Sequence, residues 1–416
     1  VTHNGTSTAS TCTFNLDTYE WLAIIKNTTG AAENWYMIDS LRGVTKIVTM
    51  NTNDAETTDA NVLTVSGTTF TLGSTLGAKN YLVEFHKAGL ASATASNTEG
   101  SLNTTATSVN LVSGFAISTY TGTGSNTNYG HGLNSAPEWT ITKLRVGSTQ
   151  GNYAWHVGLG AGTKVIYPHL NNAIDTAASI WNSTVPSATL NSLGTSVGVN
   201  TNTYTYVNWS WHSVEGYSAF GSYTGNGNTD GPVINLGGSP KQMTVKATTD
   251  TTSWFLQTTT VDTFNEMSSY LQLNATDPLG TGVSTKVDYV SNGVKARWSS
   301  ASLNAAANFI YMAYGIQPLT DGAINQVRAD GRGSAPLAIA NGGSLSFDGD
   351  YAINTFNASG TISFDTVPEG GVEYLVIAGG GGGGANYRAG GGGGGGYRTA
   401  TGLAVEAISY AITVGA

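Results

Sequence analysis

An internal repeat constrains this chain more than any other feature. Phe115–Lys143 (FAISTYTGTGSNTNYGHGLNSAPEWTITK) aligns with Phe220–Lys246 (FGSYTGNGNTDGPVINLGGSPKQMTVK), sharing Tyr-Thr-Gly-x-Gly, a later Gly/Ser/Pro turn and an alternating strand that ends in Lys. Each then continues through an aromatic strand (Asn152–Val157; Ser253–Gln257), a polar-apolar strand (Lys164–Leu170; Tyr270–Asn274), a Thr/Asn/Gly stretch and a final aromatic strand (Tyr204–Trp211; Asn308–Tyr314). A more divergent repeat precedes them, with Trp21–Lys26, Asn34–Asp39, Lys46–Asn51 and Tyr81–His86 in matching positions. The markers Asn34, Asn152 and Ser253 are spaced by 118 and 101 residues. That period is too long for a solenoid and suits a β-sandwich domain.

Composition sets the class. Only 10% of the 416 residues are charged, 55 are glycine, and Thr, Ser and Asn fill positions where helices would carry Glu, Lys or Ala. Such residues favour strands and turns. The expectation is an all-β chain of tandem antiparallel β-sandwiches of jelly-roll or lectin type, followed by a glycine-rich β module. Its boundaries are 1–113, 114–218, 219–318 and 319–416. With 9 Trp, 20 Tyr and 11 Phe there is ample surface to bury, which argues against disorder.

A net charge of −9 with a pI near 5.0 offers no basic stripe to displace counterions from a phosphate backbone, so nucleic acid is not an expected partner. Cys12 is the only cysteine, which excludes an intrachain disulfide framework. The longest apolar runs, Trp21–Ile25 and Phe309–Ala313, fall far short of the ~18 residues of a spanning helix. No membrane insertion is expected. A chain opening on Val1 and closing on Ala416 just past a strand-like run reads as a fragment or a processed product.

Beyond Gly315 the pattern changes. Strand-like runs Tyr351–Phe356, Thr361–Phe364, Val372–Ala378 and Ala407–Val414 surround the glycine runs Gly379–Gly384 and Gly390–Gly396. Glycine carries maximal chain entropy, so such runs order only when packed backbone on backbone, against other glycine segments or other subunits. Tyr387, Arg388, Tyr397 and Arg398 stand among these glycines with no core to join. They are the candidate contacts with a ligand or a neighbouring subunit.

Several motifs imitate catalytic ones. Gly379-x-Gly381-x-x-Gly384 follows a strand as in dinucleotide folds, but no helix-forming sequence follows to receive a pyrophosphate. Gly194-Thr-Ser196-Val-Gly198 matches a nucleophile elbow, yet no acid lies between Ser196 and His212 and no histidine follows His212. Asn226-x-Asn228-x-Asp230-Gly231 opens like a calcium loop and then has Gly237 where a bidentate Glu belongs. The first is a pattern that any glycine run satisfies, and the other two read as turns. Asp54, Glu56 and Asp59, and the pair Asp348 and Asp350, read as solvated loop carboxylates. The six histidines, His3, His86, His131, His156, His169 and His212, form no zinc spacing, and His86 and His212 read as edge or core residues. Trp155, Trp209, Trp211 and Trp254 alternate within strands as core residues do. No catalytic residue, cofactor or metal is assigned, and no enzyme is expected.

Certain stretches resemble the Asn/Thr/Gly-rich virion structural proteins of marine tailed bacteriophages, of the tail-fibre or appendage kind. The resemblance covers about 114–416. It rests on Gly132-Leu-Asn-Ser-Ala-Pro137, Trp155-His156 with Gly158-Leu-Gly160, Val214-Glu-Gly-Tyr217 running into Phe220–Gly227 and Asp230-Gly-Pro232, and Gly349-Asp-Tyr351 leading to Val372–Ala378 and the glycine runs. It implies an extracellular virion appendage that attaches to a host envelope glycan or surface protein, a homotrimer held among other virion proteins. Two further classes remain: a non-adhesive virion decoration, and a polysaccharide depolymerase.

Overall fold

The computed structural model describes residues 2–3, 9–263, 265–282, 285–297, 302–318, 340–348, 351–364, 372–382, 393–406 and 408–415. Every strand pairing among them is antiparallel, and the α-helices are two single turns, Ala178–Trp181 and Val197–Asn200. The chain is all-β. It forms two compact units, Val1–Pro318 and Leu319–Ala416.

Strand order in the larger unit recurs. In the first repeat a six-stranded sheet runs Thr2–His3, Lys79–Leu90, Tyr19–Asn27, Tyr36–Asp39, Lys46–Thr49, Thr57–Thr58. In the third repeat the order is Ser218–Thr224, Asn308–Tyr314, Gln242–Ala247, Phe255–Thr258, Ser269–Gln272, Gly280–Thr281, element for element the same. Each carries a three-stranded companion sheet, also in matching order: Ala9–Thr11, Thr69–Leu72, Leu63–Ser66 in one, and Val233–Asn235, Gly293–Ala296, Val287–Val290 in the other. The middle repeat keeps the centre, Phe115–Thr121, Thr205–Trp211, Trp139–Val146, Asn152–His156. It adds Ala106–Asn110 at the edge, and the helical turn Ala178–Trp181 lies just before Leu190–Leu193 in the smaller sheet.

The period-2 alternation of strand side chains assigns each large sheet two different jobs. In the first repeat Trp21, Ala23 and Ile25 point one way and share a core with Leu63, Phe70 and Leu72 of the companion sheet. Leu22 and Met37 belong to a different core, in which they join side chains of the other two repeats, among them Trp139, Trp254 and Leu271. The third repeat divides its residues likewise: Met243, Val245 and Phe309 inward, Leu256, Ile310 and Met312 toward its neighbours. Burial on both faces explains why Trp21–Ile25 and Phe309–Ala313 are continuous apolar runs rather than alternating ones.

The three repeats close into a ring by one set of contacts used three times. Glu56 N donates to Arg145 O at 3.0 Å, Ile174 N to Thr248 O at 2.9 Å, and Leu279 N to Thr28 O at 3.2 Å. Each acceptor lies two residues beyond the repeat's strand-ending lysine (Lys143, Lys246, Lys26), and each donor lies ten beyond the start of Lys46–Thr49, Lys164–Val165 or Ser269–Gln272. A second set repeats too: Asn152 Nδ2 to Thr49 O at 3.0 Å, Trp254 Nε1 to Tyr167 O at 3.2 Å, and Trp35 Nε1 to Gln272 O at 2.9 Å. The second repeat thus grips the first, the third grips the second, and the first grips the third. Val1–Pro318 is a single-chain ring with pseudo-threefold symmetry.

The Tyr-Thr-Gly-x-Gly repeat has a physical reason. Tyr120 stacks on Tyr206 (5.3 Å, 17°) and Tyr223 on Phe309 (5.0 Å, 11°), each on the residue directly across the sheet. The chain then turns against a buried asparagine: Asn200 Oδ1 accepts Thr123 N at 2.7 Å, and Asn304 Oδ1 accepts Asn226 N at 3.0 Å. The first glycine is pressed onto a carbonyl, so that a Cβ on Gly122 would lie 2.2 Å from Thr201 O and one on Gly225 2.0 Å from Ala305 O. The second, Gly124 or Gly227, takes positive φ (74° and 69°). Gly225→Ala should therefore lower the stability of the ring by about 1–3 kcal/mol or more, read from urea unfolding, because main chain cannot yield as a side chain can.

Candidate functional site

Of the four candidate contact residues, Tyr397 and Arg398 lie at the start of Tyr397–Leu403, which pairs with Val372–Ile377. Tyr397 is 71% exposed and sits across from Ile377, itself 74% exposed, while Arg398 sits across from Val376. Tyr387 and Arg388 lie outside the described residues, as does Asp350. In the glycine segment, Ala378 N donates to Gly396 O at 2.8 Å and Gly381 N to Gly393 O at 2.9 Å, so the arms extend the same ribbon.

The remaining motifs resolve into turns and internal bonds. Ser196 caps the helical turn Val197–Asn200, its side chain accepting Gly198 N. Asn226 Oδ1 accepts Asn228 N and an N–H from Asn304, and Asp230 pairs with Lys295 at 2.7 Å. Trp155, Trp209, Trp211 and Trp254 are all buried. No group of three His, Cys, Asp or Glu side chains among the described residues is placed to hold a metal ion.

Glu56 departs from the expectation of a solvated loop. It is buried between the first two repeats, bonded to Arg42 at 2.9 Å and doubly to Arg145 at 2.8 and 3.1 Å. Burial raises its pKa, but the bonds and charges of Arg145 and Arg42 outweigh that and hold the carboxyl below its ordinary value. Arg42 also bonds Asp39 at 2.6 Å, and Asp39 accepts Trp209 Nε1 at 3.1 Å. Removing Glu56 would leave Arg145 without its carboxylate and Arg42 with Asp39 alone. Glu56→Ala should cost about 3–5 kcal/mol in urea unfolding.

Side chains from equivalent positions meet at the middle of the ring. His86, Trp211 and Tyr314 lie across from the residue four before the lysine in each repeat: Leu22, Trp139 and Gln242. The His86 ring lies 5.6 Å from Trp211 and 5.1 Å from Tyr314, and its Nδ1 accepts Trp211 Nε1 at 3.4 Å. Phe115 stacks on Trp211 at 4.8 Å and Phe220 meets Tyr314 edge-on at 5.5 Å. One Glu84 oxygen is 3.8 Å from His86 Nε2, and the other is buried without a hydrogen-bond partner. The sequence placed His86 at an edge or in a core; its meeting with two other repeats had no local signal.

The strand-ending lysines are buried as well. Lys26 Nζ donates to Asn27 Oδ1, Glu33 O and Thr276 O (2.9, 2.6 and 2.7 Å), the last in the neighbouring repeat. Lys143 donates to Gln150 O at 2.8 Å and to Thr52 O of its neighbour at 3.2 Å, and Lys246 to Ala247 O and Asp250 O at 2.7 and 3.2 Å. Burial lowers all three to about 8. Buried imidazoles behave similarly: desolvation takes His131 and His169 down to about 4 and His156 to about 3. Each accepts a main-chain N–H at Nδ1, from Leu133, Asn152 and Gly158 respectively, which fixes the neutral ring. His156 Nε2 also donates to Tyr311 O of the third repeat at 3.0 Å.

Wherever the folded pKa lies below the unfolded one, the unfolded chain binds more protons in the interval between, and stability rises with pH there. The histidines place one such window between about 3–4 and 6.5, and the lysines a second between about 8 and 10.5. Buried tyrosines such as Tyr120 and Tyr223 are raised above 10 by desolvation, which reverses the trend beyond that pH. The melting temperature should climb from pH 4 to 7 and again from 8 to 10, then fall. Protonating His156 alone is worth on the order of 5 kcal/mol, so His156→Gln should flatten the acid limb.

No curated protein matches the chain, and no solved structure matches it. Residues 355–416 match a family model described as a glycine-rich domain. Residues 1–318, the whole of the ring unit, match one family model, and the chain belongs to the family described as a domain of unknown function, DUF7483.

Proposed function

We propose that this chain is a structural component of a bacteriophage virion, a tail fibre or appendage that mediates attachment to the host cell surface. The observation that carries the reading is the ring itself. Its buried charges Lys26, Lys143 and Glu56 are committed to bonds across the seams between repeats, Arg42 to Glu56 and Asp39 beside one seam, and Lys246 to main chain within its own repeat. Such a unit is tied together without an intrachain disulfide, which suits a part that stands outside a cell. The likeness of 114–416 to phage appendage proteins supplies the virion context, and the exposed Tyr397 and Arg398 supply side chains suited to a glycan or an envelope protein. In this reading the chain works as a homo-oligomer, a trimer, among other virion proteins.

The closed pseudo-threefold ring favours a second reading, a non-adhesive decoration. One such chain presents approximate threefold symmetry by itself and fits a threefold position on a particle without further copies. The purified chain, incubated with a panel of marine bacterial isolates, separates the two. Attachment predicts retention on some strains and blocked adsorption of phage to those same strains, with Tyr397→Ala/Arg398→Ala reducing both at least fivefold. Retention on no strain, with binding to virus particles alone, would leave the decoration reading. Release of reducing sugar from envelope polysaccharide would replace both with a depolymerase.

A further inference from the structure

Strands Val372–Ile377 and Tyr397–Leu403 pair with each other and, among the described residues, with no third strand. Alternation puts Val372, Tyr374, Val376 and Arg398 on one face and Glu373, Leu375, Ile377 and Tyr397 on the other. The second face is open, with Leu375, Ile377 and Tyr397 59, 74 and 71% exposed, and the first is open at Val376, 56% exposed, while Val372 and Tyr374 are half-buried. An isolated two-stranded ribbon is marginal in water even with one face covered. Apolar side chains standing out on both faces call for something to cover them.

The glycine arms carry the same requirement by a separate route. A Cβ on Gly395 would lie 1.9 Å from Ala378 O, so that position is glycine for a reason inside the chain. At Gly379, Gly382, Gly393, Gly394 and Gly396 a Cβ would meet nothing within 4 Å. Glycine in an extended strand costs about 0.5–1 kcal/mol against alanine, and nothing in the ribbon's own packing asks for that cost at these five positions. Close approach of another backbone would ask for it.

We propose that this ribbon is a self-association surface whose occupant is the same ribbon of a second copy of the chain, stacked unlike face to unlike face. Charge selects both the occupant and the orientation. Arg398 is the one charged residue on the first face and Glu373 the one on the second. Stacking unlike faces brings Arg398 of one copy and Glu373 of the next into the same interface, and a slide of about three residues along the strand sets them together, whereas like faces would put Arg with Arg or Glu with Glu. The contact is therefore heterologous and continues beyond a twofold pair, to a closed ring or a stack. This goes beyond the attachment reading and stands without it, and in a stack Tyr397 and Arg398 face a neighbouring copy except at its exposed ends.

Light scattering on the full-length chain tests it. The native mass should exceed 42.9 kDa and rise with concentration toward multiples of it. Glu373→Arg alone and Arg398→Glu alone should each weaken association about tenfold or more, while the thermal transition of the ring stays unchanged. The double reversal, Glu373→Arg with Arg398→Glu, should restore association, which a variant that merely unfolds the ribbon cannot do. A monomer at tens of micromolar, association indifferent to both single reversals, or a double variant that stays dissociated would each overturn the proposal. Because Glu373→Arg leaves Tyr397 and Arg398 in place, its loss of association with cell binding intact would support the stacking contact independently of attachment.

Discussion

Each large sheet of this protein buries both of its faces, and the rest of the ring depends on that constraint. A sheet with one apolar face needs a single companion layer, and here the three-stranded sheets provide it in the first and third repeats. The second face needs a different partner, and another repeat supplies it. With three equivalent repeats, each second face can be covered only if the set closes, and a ring is what results. The repeated bonds, from Glu56 to Arg145, Ile174 to Thr248 and Leu279 to Thr28, set the register of that closure.

Charge is scarce in this chain and is spent on the same problem. Of 17 Lys and Arg residues, Lys26, Lys143 and Lys246 stand at the same position of each repeat, wholly buried and bonded mainly to carbonyls rather than to carboxylates. A buried ammonium is costly unless every proton finds an acceptor. Lys26 and Lys143 find one of theirs on the neighbouring repeat, so a loosened seam would expose an unsatisfied charge as well as apolar surface. Such contacts raise the penalty for partial opening and tie the three repeats into one unit.

Much of the fold was legible because its signals are local. Strand class followed from Thr, Asn and aromatic content, and the markers Asn34–Asp39, Asn152–Val157 and Ser253–Gln257 fall on topologically equivalent strands. The turn reading of Ser196 and of Asn226–Gly231 followed from residues missing at fixed spacings, and the hydrogen bonds there are those of capped turns. Glu56 was misjudged because its loop is polar and rich in acids. Its arginine partners lie 14 and 89 residues away, and no periodicity announces a contact at that separation. His86 escaped for the same reason, since Trp211 and Tyr314 reach it only once the ring closes.

The sequence by itself determined the strands, the turns, the repeat and the separateness of the glycine-rich end, because backbone preference and hydrophobic period act over a few residues. It also determined that each repeat would carry a lysine at the end of a strand. Only the tertiary structure decided that the repeats interlock, that those lysines are buried and two of them reach into a neighbouring repeat, and that one face of each sheet belongs to another repeat. Alternation shows that a face is apolar without showing what lies against it. Covering it is a problem of geometry among segments a hundred or more residues apart, and no local preference encodes the answer.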